Sequence, residues 1–273
     1  MATRDPHRFV NELDDVAVMQ LVSRLERRAQ DAVFSRLAEK YAAKLAFGSC
    51  GRLLEVGCGT GAVLRSLVRR PGFRGEAVGI DQSAIFVATA SRIATHDRLD
   101  KKLRFEVGDA HHLPFATDEF DIAIAHTVVS HVTEPLDVIQ EMARVVRPGG
   151  TVVLFDGDYA SLTYGMTDHS LGSRMDGALA CATFNNPRIM RELPRLLPSV
   201  GLALRDAWGD AVTEIGIASY FKSFADTYVP YVHSAGLLPK QDIDTWWREQ
   251  TNAIANGTFF AACNYYTYLA SPC

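Results

Sequence analysis

Nine residues, Leu53-Leu54-Glu55-Val56-Gly57-Cys58-Gly59-Thr60-Gly61, constrain this chain more than any other stretch. Apolar residues run into glycines at alternate positions, which describes a buried strand turning sharply into a helix. Glycine has no Cβ, so backbone there can come close to a ligand. The helix beyond then aims its unpaired N–H groups at that ligand. The spacing alone fits more than one occupant. Gly57, Gly59 and Ala62 satisfy the G-x-G-x-x-G/A dinucleotide fingerprint, which keeps an NAD(P)-binding oxidoreductase open.

Glu55 weighs against a pyrophosphate, because a carboxylate just before the loop repels the anion that a helix N-terminus attracts. S-adenosylmethionine carries an ammonium and a sulfonium instead, and Glu55 can hold that ammonium through solvent or loop atoms. Further strands follow in order. Ala77-Val78-Gly79-Ile80-Asp81 is a second buried strand ending in an acid, spaced so that Asp81, with Gln82 beside it, meets ribose hydroxyls. Arg104 to Ala110 closes a third strand on Asp109 and Ala110, near an adenine edge. Phe120 to His126 reads as a fourth strand, and Thr151 to Phe155 as a fifth.

With these motifs the chain resembles the class I S-adenosylmethionine-dependent methyltransferases, in particular the ubiquinone/menaquinone-biosynthesis (type 11) small-molecule branch. The carrying residues are Glu55 to Gly61, Gly79-Ile80-Asp81, Gly108-Asp109-Ala110 and Arg144-Val145-Val146-Arg147-Pro148-Gly149-Gly150. The resemblance covers about residues 50 to 155, and Gly257 to Leu269 looks like that branch's closing strand. It implies a Rossmann-like α/β fold with a seven-stranded, mostly parallel sheet, N-terminal helices and a C-terminal helical lid. Residues 1–48 are expected to be the helical extension and 49–273 the methyltransferase domain, with insertions at about 160–200 and 215–256. The implied cofactor is S-adenosyl-L-methionine, held by Glu55, Gly57, Cys58, Gly59, Gly61, Asp81, Gln82, Asp109, Ala110 and His126. A protein that binds the cofactor without methylating stays open as an alternative. The fourth strand has Ala125-His126-Thr127-Val128 in place of Asn/Asp-Pro-Pro-Tyr/Phe, which argues against methylation of nucleic-acid bases.

Composition excludes several classes. A net charge of −4 offers no basic face for nucleic acid. Cys50, Cys58, Cys181, Cys263 and Cys273 are scattered, with no C-x-x-C pair, and read as reduced thiols of a cytoplasmic protein. Met1 to Val10 lacks an apolar signal-peptide core, and no run approaches eighteen apolar residues, so neither a signal peptide nor a membrane span is expected. No two histidines stand at metal-ligand spacing beside a carboxylate, and no metal is expected. Composition leaves oligomeric state, including a homodimer, open.

Local pattern then places the rest. Phe34, Leu37, Tyr41 and Leu45 share one helical face, and Leu21 and Leu25 suggest an earlier helix. Arg24, Arg27 and Arg28 punctuate that helix, either as a solvated face or with one meeting the cofactor's carboxylate. Thr133 is the expected N-cap of a helix burying Leu136, Ile139, Met142 or Ala143, and Val146, and ended by Gly149-Gly150. After Asp156 the pattern turns irregular. Residues 167–200 read as helices broken by Pro187, Pro194 and Pro198, followed by a sixth strand over Leu202 to Trp208. Ile217, Phe221, Phe224, Tyr228 and Tyr231 then stripe one helix face, and a second helix surrounds Trp246 and Trp247.

Methyl transfer from a sulfonium is an in-line displacement that needs alignment above all. His126, ending the fourth strand, is the candidate catalytic base, with an imidazole pKa in the useful range; lining the cofactor's methionine end is the alternative. Asp158 and Tyr159 are candidates for acceptor binding, or a solvated loop. Phe221, Phe224 and Tyr228 are either core or contacts to an aromatic or isoprenoid-like acceptor, since such pockets are largely apolar.

Overall fold

Strand β1 (Arg52–Val56) is buried at Leu53, Leu54, Glu55 and Val56, on both faces of the sheet. Continuous apolar character of this kind belongs to a central parallel strand covered by helices on either side. The computed structural model describes His7 and residues 9–273; most of the Met1–Val10 stretch lies outside the described residues. Before the sheet come α1 (Asp15–Gln30) and α2 (Ala32–Ala42), each started by an aspartate whose carboxylate accepts backbone N–H bonds: Asp14 from Ala17, Asp31 from Val33 and Phe34. The striped face of α2 is buried as the spacing requires, with Leu45 just beyond its end.

After β1 the chain alternates: α3 (Ala62–Val68), β2 (Glu76–Asp81), α4 (Ala84–His96), β3 (Leu103–Val107), β4 (Phe120–His126), α5 (Pro135–Val145) and β5 (Val146–Tyr164). It then runs through α6 (His169–Thr183), α7 (Ile189–Leu196), β6 (Leu202–Ile215), α8 (Tyr220–Ser234), α9 (Lys240–Ala255) and β7 (Phe260–Pro272). The seven strands lie in the order β3-β2-β1-β4-β5-β7-β6. β1 to β5 are parallel, and β7 inserts antiparallel between β5 and β6. The strand order reverses between β1 and β4, and open α/β sheets bind ligands beyond the carboxyl ends at such a switch point. Here those ends are Val56-Gly57 and His126.

Several boundaries differ from the sequence pattern. β5 runs far past Phe155, because β7 pairs with it out to Tyr164, across a register shift between Asp158 and Thr163. The stretch expected to be irregular is therefore sheet. β6 likewise extends to Ile215 along β7. α5 buries Val138, Ile139, Met142 and Val145, and it ends where Val146 joins β4; Thr133 does not cap it. Ile217 lies ahead of α8 and is exposed. Pro194 stays inside α7: the Met190 carbonyl that its missing N–H would have served accepts the Tyr268 hydroxyl at 2.7 Å.

Two main hydrophobic cores flank the sheet. One gathers α2, α3, α6, α8 and α9, including fully buried Tyr41, Phe221 and Trp246. The other packs α5 and α7 against the opposite face. α8 and α9, between β6 and β7 in the chain, are thus joined to the main core. Trp246 lies edge-on to Tyr164, with ring centroids 5.0 Å apart. Among the described residues no helix is long and apolar enough to cross a membrane.

Candidate active site

The loop after β1 takes its shape from glycines. Gly57 has φ +63°, in the left-handed region, and a Cβ there would lie 2.6 Å from Val128 Cγ2, just past the end of β4. Gly61, φ +72°, serves packing: its Cβ would fall 2.5 Å from the Phe105 ring, and it does not face the cavity. So Gly57 and Gly59 form the ligand edge, while Gly61 lets α3 settle onto the sheet.

Two acids brace this loop. Asp81, ending β2, accepts the Gly59 N–H through Oδ2 at 2.8 Å and the Ser83 N–H through Oδ1 at 2.9 Å. Burial raises its pKa, and those two bonds act in the opposite sense. Glu55 Oε2 accepts the Leu64 N–H at 3.2 Å, and burial pushes its carboxyl up to about 8. Glu55 is therefore largely protonated at neutral pH until a cation arrives to favour the carboxylate. The Cys58 thiol is also pushed well up by burial, which makes it a small filler and no nucleophile.

One cavity of about 1180 Å³ runs from this loop to the lid. Ordinary small-molecule pockets occupy roughly 300–1,000 Å³, so this one has room for two ligands side by side. Its first end is lined by Glu55, Gly57, Cys58, Gly59, Asp81, Gln82, Asp109 and Ala110. The Gln82 side chain is engaged in donating to the His7 carbonyl at 2.9 Å, which ties the N-terminal segment over this end. Asp109 accepts the His111 N–H at 2.9 Å and meets His111 Nδ1 at 2.6 Å.

The second end is aromatic. Tyr159 stacks on Phe184 with centroids 3.4 Å apart, and Phe224 and Tyr228 from α8 complete the wall. Phe221 instead points into the core, against Tyr164, and does not face the cavity. Asp158 is also not among the lining residues. Its carboxylate is buried and takes Arg191 Nε on both oxygens, at 2.9 and 2.8 Å. For Phe221 and Asp158 the geometry therefore corrects the expectation of acceptor contact, because alternation along β5 and the period of α8 turn them away.

His126 lies between the two ends. Its Nδ1 is 3.0 Å from the Tyr41 hydroxyl, and its ring packs 4.4 Å from Phe155. Tyr41 has no other bonded partner among the described residues, so its proton is assigned to Nδ1 and the imidazole proton to Nε2. Burial, with help from Arg28, holds the His126 pKa well below its ordinary value. With that assignment the neutral ring has its Nε2–H available as a donor. Thr127, which follows, has φ +59°, an uncommon conformation for a β-branched residue and a mark of stored strain. Its hydroxyl donates to the His126 carbonyl at 2.7 Å and accepts from Arg28 Nη1 at 3.1 Å.

Sequence reasoning left the arginines of α1 open. Arg27 is exposed, but Arg24 is buried and Arg28 half-buried in the cavity wall. Arg28 Nε and Nη2 have no hydrogen-bond partner. Arg24 rests over the Tyr228 ring at 4.9 Å and the Phe224 ring at 5.4 Å. The signal was present in the spacing: Leu21, Arg24, Leu25 and Arg28 share one face. These orphaned donors, the glycine edge and Glu55 suit a ligand that carries both an ammonium and a carboxylate, as S-adenosylmethionine does. Among the described residues no cluster of three or more His, Cys, Asp or Glu could hold a metal ion.

Comparisons with known proteins agree with this geometry. Residues 54–154 match the methyltransferase domain family. An uncharacterized 37.1 kDa protein of transposon TN4556 from Streptomyces fradiae is 30% identical over 225 residues, covering 80% of this chain and 61% of that protein. The ubiquinone/menaquinone biosynthesis C-methyltransferase UbiE of Dinoroseobacter shibae is 35% identical over 133 residues, 48% of this chain and 49% of that protein. The chain thus spans about half to three fifths of the length of these two curated relatives. Among solved structures, the [4+2]-cyclase SpnF aligns with a TM-score of 0.63 at 18% identity, covering 100% of this chain and 98% of its own. At that identity the likeness concerns the fold.

Proposed function

We propose that this chain, whose residues 54–154 match the methyltransferase domain family, is an S-adenosylmethionine-dependent methyltransferase of the ubiquinone/menaquinone-biosynthesis type that transfers a methyl group directly to a small-molecule acceptor with an aromatic or isoprenoid-like body. The observation that carries this reading is the continuity of the cavity. A glycine-edged, acid-lined end opens into an aromatic end across His126.

The cofactor, when bound, supplies an electrophilic methyl on its sulfonium. The chain's residues supply position. Glu55 and Arg28 would take the ammonium and carboxylate of the methionine part, Asp81 and Gln82 the ribose, and Asp109 with Ala110 the adenine. Asp81 keeps acceptor capacity free, because a carboxylate offers about four lone-pair sites and two are spent on backbone N–H groups. Tyr159, Phe224 and Tyr228 would hold the acceptor's flat or branched apolar body and keep water out. His126 lines and orients; with its pKa depressed and its proton on Nε2 it is ill suited to abstract one, as a base works best when its pKa lies near the working pH. Alignment of the two ligands then provides the rate, worth roughly 7–11 kcal/mol in favourable model reactions. The five cysteines are scattered with no C-x-x-C pair, a usage that suits a reducing, cytoplasmic setting.

Titration calorimetry with S-adenosylhomocysteine and with NAD tests the cofactor half. Binding of the first and silence toward the second is expected; the reverse would falsify the reading. Release of S-adenosylhomocysteine during turnover with S-adenosylmethionine and quinol, phenol or prenyl acceptors tests the transfer. Tight cofactor binding with no methylated product from any acceptor class would favour a non-methylating protein instead.

A further inference from the structure

α1 brings two guanidiniums into one cavity, and the proposed cofactor has a single carboxylate. Arg28 reaches the cofactor side: its Nη1 donates to Thr127, whose neighbour Val128 abuts Gly57. Arg24 lies one turn earlier on the same face and turns the other way. Its guanidinium is surrounded by Tyr220, Phe224 and Tyr228 of α8, at 5.8, 5.4 and 4.9 Å, and is only 7% exposed. Its Nη1 donates to the Ser223 hydroxyl at 3.3 Å, and the Tyr228 hydroxyl also accepts from it. Neither arginine has a carboxylate partner among the described residues. A buried cation without an anion is costly. Ring faces attract it through their quadrupoles, and neutral hydroxyls of α8 meet its N–H groups, but a carboxylate or phosphate would match the guanidinium fork and its charge better.

We propose that Arg24 binds an anionic group, a carboxylate or a phosphate, carried by the methyl acceptor. The inference rests on the methyltransferase reading and narrows its acceptor class to amphipathic anions: an apolar body against the wall of Tyr159, Phe184 and Phe224, and a charged head at Arg24.

The test uses the full chain loaded with S-adenosylhomocysteine and three probes: 3-phenylpropionate, phenyl phosphate and neutral 3-phenylpropionamide, at constant ionic strength. At least one anion should bind wild type about tenfold or more tighter than the amide, as charge-assisted bonds allow. Preference for the carboxylate or the phosphate identifies the head group. Arg24→Gln should abolish the preference while leaving the S-adenosylhomocysteine Kd within about twofold. Arg24→Lys, which keeps the charge and loses the fork, should retain part of it and covers the case in which the glutamine variant does not fold. An amide bound as well as both anions, or a preference that survives Arg24→Gln, overturns the proposal. If S-adenosylhomocysteine itself does not bind, the methyltransferase reading fails separately, and the anion preference is then measured on the ligand-free chain.

Discussion

The two ends of the cavity are built on opposite principles. At the glycine end each buried acid is already occupied: Asp81 by the Gly59 and Ser83 amides, Glu55 by the Leu64 amide. That end is shaped by its own hydrogen bonds before any ligand arrives, which is how a site is preorganised. Along α1 the charges are left over. Arg28, on the cofactor side, has two buried donors with no partner, and Arg24, at the aromatic end, has ring faces and hydroxyls where an anion would serve better. The glycine loop is braced and selects by shape. The arginines of α1 select by the anion that a ligand supplies.

The contrast fails first at Asp81 if it is wrong. Removing that carboxylate takes away the proposed ribose acceptor and leaves the Gly59 and Ser83 N–H groups unpaired. Bonds to charged groups contribute about 1.5–3 kcal/mol, so Asp81→Ala should weaken S-adenosylhomocysteine binding about tenfold to a hundredfold. Calorimetry measures it, and an unchanged Kd would remove Asp81 from the site.

Glu55 sharpens the contrast through pH. Its folded pKa, about 8, lies above the ordinary 4.5, so the folded state holds a proton that the unfolded state releases. Its contribution to stability is complete below about pH 4.5 and is lost progressively as pH rises toward about 8, with a slope of at most about 1.4 kcal/mol per pH unit. Glu55→Gln cannot titrate, so its ligand-free Tm should fall less steeply than wild type between pH 5 and about 8. Parallel Tm profiles would show that Glu55 is ionised in the free protein. Binding of the cofactor's ammonium should also expel the Glu55 proton, read as calorimetric heats that change with the buffer's ionisation enthalpy.

The smallest effect is expected at His126. General bases contribute about 10²–10⁴ in rate, whereas an orienting donor costs less when removed. His126→Ala should lower kcat by less than about tenfold once an acceptor is in hand. A hundredfold loss with an unchanged cofactor Kd would restore it as a base and require the opposite tautomer at Tyr41.

Legibility in the sequence followed the range of the interactions. The glycine loop, the acids closing β2 and β3, and the apolar strands were readable because each depends on neighbours in the chain: a φ that favours glycine, a residue at a strand end, a run without charges. From these alone came the parallel α/β sheet, and the same signals carry the proposed ligand positions at its carboxyl edge. What the local pattern could not hold was decided by pairing and burial. β5 continues to Tyr164 because β7, a hundred residues later, hydrogen-bonds to it. The turn of Asp158 toward Arg191 was likewise set across the fold. His126 looked like a base because its type and position suit one. Tyr41 on α2 and the cation on α1 make it a neutral donor, and both lie more than eighty residues away in the chain. Arg24 and Arg28 share the apolar face of α1, but only the fold sets that face against α8 and the end of β4, where water is excluded and a positive charge demands a partner.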